Sequence, residues 1–436
     1  MSSKWRMIVA GLAAVMAGVL VAAVLLGRGD DRDRIATVAV PELPSGDGDP
    51  AATGRQELGP YVVAARAFNY GEPGFAATRD KAQSKLWHHD GSWWAPLIDP
   101  FTEEVHIFEL RDGAWADTGV FVDARAQSSA DVVWTGRTLY IASRTSTGEL
   151  LLQRYGYGPG RTWVPHSPTA ERIAAGGGQS LTIAVDTQDR VWATWITAGR
   201  VNISHSEPGG TAWGAPVTPP GGENVQDDDA TAVTAFGDRI GVLWSNQVED
   251  AFYWSSRLDG DPPDLWSEQL AVSQGINIAD GHINFAVAPS GDVYAAVKTS
   301  LGDDGEPLES TLIEVLHRDT DGVWSHSPAA TVGSQMTRAQ LAITADGRHL
   351  VLIATSPQSG GALYYKVAPA DDPRFAPGRG SLLLAWENAT INDPTTTGSM
   401  VDPAVPLVVL ASDSSTAQYY YAELSIADLL SNLQGG

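Results

Sequence analysis

Apolar and polar positions alternate in short runs along most of this chain, with turn residues between them. Residues 181–185 (LTIAV) lead through DTQDR into 191–195 (VWATW). Residues 231–235 lead through FGDR into 240–244, and 283–287 lead through APSGD into 293–297. Residues 131–134 and 138–142, and 341–344 and 349–353, repeat the scheme. Runs rich in β-branched and aromatic residues, bounded by Gly and Asp, predict β-hairpins. A third strand follows in each unit, as at 150–155, 200–204 and 312–316. Helical periodicity is missing apart from a short apolar stretch near Leu429.

A tryptophan after a Gly- or Asp-rich turn marks each fourth strand, at Trp115, Trp163, Trp213, Trp266 and Trp324. Successive spacings are 48, 50, 53 and 58 residues. Four strands in a unit of that length predict the blades of an all-β propeller. The blades read as 84–122, 129–172, 179–220, 229–274, 281–332, 338–390 and 399–426, with the last lacking a clear fourth strand. Residues 61–68 (YVVAARAF) form a spare strand that would complete it and close the ring, removing two exposed edges. Seven blades is the expectation, and six the alternative. The repeated Trp residues are expected to wedge neighbouring blades together, since each buries a large apolar surface.

The N-terminus has a different pattern. Residues 7–26 form an unbroken apolar run, and about 20 helical residues span the roughly 30 Å of a hydrocarbon core. Lys4 and Arg6 precede it. The expected order is a cytoplasmic tail (1–6), a transmembrane signal-anchor (7–26), a Pro-, Gly- and Asp-rich linker (27–60), the propeller (61–426) and a C-terminal tail (427–436). The protein is then single-pass at the cell membrane with its bulk extracytoplasmic. The alternative is secretion after cleavage near Val21-Ala22-Ala23.

Charge and composition narrow the partners. Asp and Glu total 52 against 28 Lys and Arg, a net charge of −24. That excludes a nucleic-acid partner, which needs a basic face. With no Cys there is no disulfide, thiolate metal site or Cys nucleophile. The hydrolase elbow, zincin and phosphate-loop motifs are also missing. No cofactor is expected; the Asp227–Asp229 run offers carboxylates for a weak Ca²⁺ site, though a charged loop tip is the commoner reading. The adjacent His88 and His89 point to opposite faces of a strand and read as structural.

The turn-plus-Trp element resembles a degenerate Asp-box, the S-x-D-x-G-x-T-W turn of bacterial neuraminidase repeats. Residues 206–213 (SEPGGTAW) keep Ser206, Gly210 and Trp213, with Pro208 in the Asp position. Gly160, Thr162 and Trp163 keep the second half. Roughly residues 84–426 are similar to such repeat-bearing members of the sialidase superfamily. The resemblance implies a propeller whose boxes lie opposite the active face. The Arg-Ile-Pro of sialidases is missing. Asp280, His282 and Asn284 resemble a short stretch of propeller lyases acting on uronic-acid polysaccharides.

Propeller ligands meet the axial mouth, at loops entering innermost strands and leaving second strands. Entering loops carry Arg125, Asp131, Gln179, Asp227–Asp229, Asp280, His282, Arg338, Gln340 and Asp402. Leaving segments carry Arg144, Asn246, Gln247, Lys298 and Asp413. Arg125, Arg144, Lys298 and Arg338, with the amides of Asn246 and Gln247, suit a carboxylate- or sulfate-bearing ligand. Asp229, Asp280 and His282 are the acid–base candidates. The expected function is binding of a glycan or another envelope component at the mouth. The alternatives are a glycan-active enzyme (a sialidase-like hydrolase or a uronic-acid polysaccharide lyase) and a protein-binding scaffold.

Overall fold

The computed structural model describes residues 54–79, 82–176, 180–302 and 305–434. The apolar run at 7–26 lies outside them. Among the described residues no helix is long and apolar enough to cross a membrane.

Seven antiparallel sheets follow one another along the chain, each ordered from an innermost to an outermost strand. Blade 1 runs from Trp87–His89 to Ala114–Asp123. Blade 2 runs from Ser129–Trp134 to Thr162–Pro165, with Glu171–Ala174 beside it. Blade 3 spans Leu181–Val185 to Thr211–Trp213 and blade 4 spans Thr231–Phe236 to Leu270–Gln274. Blade 5 spans Ile283–Val287 to Trp324–Thr331 and blade 6 spans Thr337–Ile343 to Ser381–Leu384. Blade 7 combines Asn392–Thr395, Leu407–Asp413 and Gln418–Leu424 with the N-terminal strand Val62–Asn69. Val62 pairs with Leu424 and Ala64 with Ala422, so the chain's two ends close the ring as expected.

Two boundaries differ from the sequence reading. The closing sheet gains a fifth strand, Arg55–Glu57, inside the segment read as linker. The innermost strand of blade 7 is Asn392–Thr395, upstream of the expected start at 399. That strand carries Asp and Pro, and Asp393 sits at φ +55 in a register shift, so it has no apolar alternation to reveal it. The apolar stretch near Leu429 is a helix, Ile426–Gln434.

Second strands are buried on both faces because blades stack face to face. This is why residues 240–244 and 293–297 read as nearly unbroken apolar runs. The Trp residues seal these faces. Trp163 of blade 2 packs edge-on against Trp87 and Trp94 of blade 1, at 5.5 and 5.7 Å between ring centroids. Trp115 meets Tyr421 of blade 7 at 6.2 Å, Trp266 meets Trp192 of blade 3 at 5.7 Å, and Trp324 meets Trp254 of blade 4 at 5.2 Å.

Innermost strands are tied to one another around the axis by side chains. Asp131 of blade 2 accepts the backbone N–H of Ser84 at one oxygen and of Ile183 at the other, both at 2.8 Å. Thr182 accepts from Val233 N at 3.0 Å, Asn284 from Leu341 N at 2.8 Å, and Thr395 from Lys85 N at 3.1 Å. These ties span five of the seven blade junctions, counting Ser84 and Lys85 with blade 1.

Residues 70–79 and 82–86, between the closing strand and blade 1, lie across the rim. Thr78 bonds Ser412 of blade 7. Buried Ala82 joins the apolar cluster of Ala230, Ala279 and Ile283 where blades 4 and 5 begin. Gln83 donates to Leu181 O of blade 3. Lys85 donates to Gln83 Oε1, Ser129 Oγ and Ala130 O. The chain thus crosses its own axial mouth on the side where innermost strands start. Beneath it lies a cavity of about 200 Å³ lined by small apolar residues with Asp131, Thr182, Thr234 and Asn284.

Asp131→Leu is expected to strand two buried N–H groups, at about 1–3 kcal/mol each. Chemical denaturation should therefore show a loss of about 2–6 kcal/mol.

Candidate functional site

The rim crossed by residues 70–79 and 82–86 carries every acid–base and ligand-binding candidate, because innermost strands begin and second strands end there. The structure spreads these residues over four places.

In blade 5, Asp280 lies between His282 and Lys298. His282 Nδ1 is 2.6 Å from one carboxylate oxygen and the Lys298 ammonium donates to the other. Lys298 is buried at the end of its apolar strand. Burial pushes the Asp280 carboxyl up, but the His282 and Lys298 charges outweigh it and hold the group well below the usual carboxylate range.

In blade 4, Asp229 is fully buried. It accepts from Gln226 N at 2.7 Å, Ser245 Oγ at 2.8 Å and Gln247 Nε2 at 3.0 Å. These donors are neutral, so burial wins and its pKa is raised. Asn246 caps the next turn by accepting from Val248 N and Glu249 N, and its buried Nδ2 has no partner among the described residues. Asp227 and Asp228 are exposed while Asp229 turns inward, so the three carboxylates do not converge. Among the described residues no group of three His, Asp or Glu side chains converges on a metal position.

At the junction of blades 1 and 2, Arg125 is clamped by Asp123. Its Nε is 2.9 Å from one carboxylate oxygen and its Nη2 is 2.6 Å from the other. Ser128 and Ser143 also donate to Asp123. Burial raises the Asp123 pKa, but Arg125 and the two hydroxyls reverse that and leave it lowered. Arg144 is buried beside them, its carbonyl accepting from Ser128.

At the junction of blades 6 and 7, Arg338 Nε lies 2.5 Å from Asp393. Both residues have positive φ, +54 and +55, in register shifts of their innermost strands. The two bulges turn the side chains toward each other. Gln340 is buried with its Oε1 unpartnered among the described residues.

Four more sequence expectations are placed. Asp131 belongs to the axial ties described above and not to the rim. Asp413 accepts from Thr390 N and Ser415 in blade 7. Asp402 lies on the connection between the first and second strands of blade 7, at the opposite face, and Asp393 takes the rim position expected for it. Gln179 lies outside the described residues. His89 packs among Trp134, Tyr157 and Trp163, a structural role. The sequence reading missed Asp123 and Asp393, the partners of the two arginines, and Gln83 and Lys85 in the crossing segment. The turn at 206–213 joins the third and fourth strands of blade 3, on the face away from this rim.

Asp280→Asn leaves the buried Lys298 ammonium without its carboxylate and should cost about 3–5 kcal/mol at neutral pH. A carboxyl held below its unfolded value stabilises the fold above that value and loses this contribution as pH falls. Unfolding measured against pH should therefore show the gap between wild type and variant narrowing below about 3.8.

No family model and no curated protein matches this chain. Among solved structures, the polysaccharide lyase Uly1 is similar over 82% of this chain and 92% of its own, with 9% identity and a TM-score of 0.48. The catalytic domain of a GH62 α-L-arabinofuranosidase from Coprinopsis cinerea is similar over 83% and 96%, with 11% identity and a TM-score of 0.38. The SapL1 lectin, solved with α-methyl fucoside, is similar over 66% and 88%, with 12% identity and a TM-score of 0.43. At these values the likeness assigns neither a family nor a ligand.

Proposed function

We propose that this chain is an extracytoplasmic binding module, tethered through residues 7–26, that holds a glycan or another cell-envelope component on its propeller rim. The observation that supports this reading is the fixing of two cationic donors by buried carboxylates. The Arg125 side chain is 27% exposed over an Asp123 that is 2% exposed. The Arg338 side chain is 32% exposed over an Asp393 that is 8% exposed. Each guanidinium is fixed further by a backbone carbonyl, Glu149 O for Arg125 and Gln358 O for Arg338, so its part-exposed edge loses little rotamer freedom on binding. Hydroxyl and carboxylate oxygens of envelope glycans are suitable acceptors.

The same geometry weighs against the hydrolase and lyase alternatives. Asp280 is kept ionised by Lys298 and His282, so it is a poor proton donor. Asp229 is enclosed by fixed donors beneath the rim. Asp280 and Asp229 act in this reading as supports for the rim, together with His282, Lys298 and the Asn246–Gln247 turn.

The test uses the full-length chain in mild detergent, passed over immobilised neutral, sialylated and uronic-acid polysaccharides while product masses are followed. Retention without product is the expected result. Arg338→Ala should weaken it about tenfold or more, the worth of one charge-assisted hydrogen bond. A product that appears with wild type and vanishes in Asp280→Asn would overturn the binding reading in favour of an enzyme. For the tether, alkaline washing should leave the protein with membranes, and deletion of residues 7–26 should release it.

A further inference from the structure

The outer strands of blades 1 and 2 leave a cleft between them. The outermost strand of blade 1 bulges between Asp117 and Val120, where Gly119 takes φ +70. The outermost strand of blade 2 is broken. Pro165 still pairs with Tyr155 and His166 N reaches Arg154 O, but pairing resumes only at Glu171 with Leu152. Gln153 therefore has no fourth-strand neighbour. The two irregularities face each other across a cleft of about 310 Å³, lined among others by Gly119, Phe121, Gln153, Pro165, Ser167 and Pro168. That volume is at the small end of the range of about 300–1,000 Å³ for small-molecule sites.

Gln153 points to a ligand. It is 5% exposed, it lines the cleft, and its amide has no hydrogen-bond partner among the described residues. Its amide reaches the solvent of the cleft, whose hydrogen bonds a ligand's hydroxyl groups would take over. An amide both donates and accepts, as a sugar hydroxyl does. Phe121 is 41% exposed on the opposite wall, an apolar ring open to solvent. None of the lining residues is titratable, so the cleft offers nothing to an ionic group.

We propose that this cleft binds one neutral pyranose unit, its C–H face on Phe121 and its hydroxyls on the Gln153 amide. The proposal shares the saccharide reading of the rim but adds a second, uncharged subsite between the outer strands of blades 1 and 2.

The chain has no cysteine, so Ser167→Cys gives the full-length protein a single thiol at the cleft. Its alkylation by iodoacetamide is timed with neutral methyl hexosides, 6-deoxyhexosides and pentosides, and with a methyl glucuronide. At least one neutral glycoside should slow the reaction, by about tenfold at ten times its Kd. Phe121→Ala or Gln153→Ala in the same background should remove this protection, and Arg338→Ala should keep it. Saturation-transfer NMR of that glycoside against the unmodified chain should show contact with its ring C–H protons. No protection by any neutral glycoside, equal protection by the glucuronide, or protection that survives Phe121→Ala in a folded variant would each overturn the proposal. Retention at the rim without protection here would remove the cleft alone. Protection here without retention at the rim would support the cleft and remove the rim reading.

Discussion

Each innermost strand of a propeller has one edge that no strand of its own blade can pair. Backbone groups left unpaired in a narrow, poorly hydrated space are costly. This chain meets the constraint with short polar side chains set into otherwise apolar innermost strands. Asp131, Thr182, Asn284 and Thr395 each accept a backbone N–H from an adjoining blade or from the segment leading into blade 1. The crossing segment 82–86 belongs to the same solution, since Ser84 and Lys85 complete ties that blades 2 and 7 begin. A consequence is that the axial mouth on the rim side is filled by the protein's own chain. Binding there must use the rim around the mouth and not a shaft through it.

The rim shows how environment decides what a carboxylate does. Asp280 and Asp229 occupy comparable places in neighbouring blades and both are largely buried. Asp280 faces a lysine and a histidine, and its charge is stabilised. Asp229 faces only hydroxyl and amide donors, and burial destabilises its charge. Asp123 follows the first pattern through its pairing with Arg125. Asp280, Asp123 and Asp393 each hold a cation in place, and Asp229 holds only neutral donors.

The blade count was legible because the hairpins recur at a steady spacing, marked in five of the seven blades by a Trp with a packing task. The closing strand was legible because residues 61–68 are apolar with no partner nearby in sequence. The innermost strand of blade 7 was not, since Asn392–Thr395 pairs through a bulge and hides its role behind Asp393 and Pro394. For the rim, residue type and position gave the candidates but not their pairing. Arg338 and Asp393 are far apart in sequence and meet only because two bulges turn them together. Lys298 stood out as a lysine in an apolar strand, yet Lys366 has the same pattern and donates to a buried carbonyl, Ala329 O, between blades 5 and 6. Rarity in an apolar run therefore marks burial, and only the partner says whether a rim or a core has been found.

The cleft between blades 1 and 2 was illegible for a related reason. Gln153 sits in a run, LLLQRY, that reads as a plain third strand, and residues 166–170 (HSPTA) read as a plain connection. Only the ladder shows that this connection removes the fourth-strand neighbour of Gln153 and leaves its amide beside an open space. In a repeat fold the shared pattern is spent on stacking and closure, as the Trp residues and axial ties show. Features specific to this chain then lie where the repeat is broken. A bulge at Thr118–Gly119 opposite a strand break at 166–170 is such a place. The bulges at Arg338 and Asp393 are another: the departure from regular pairing turns those two side chains toward each other, as it leaves Gln153 beside the cleft.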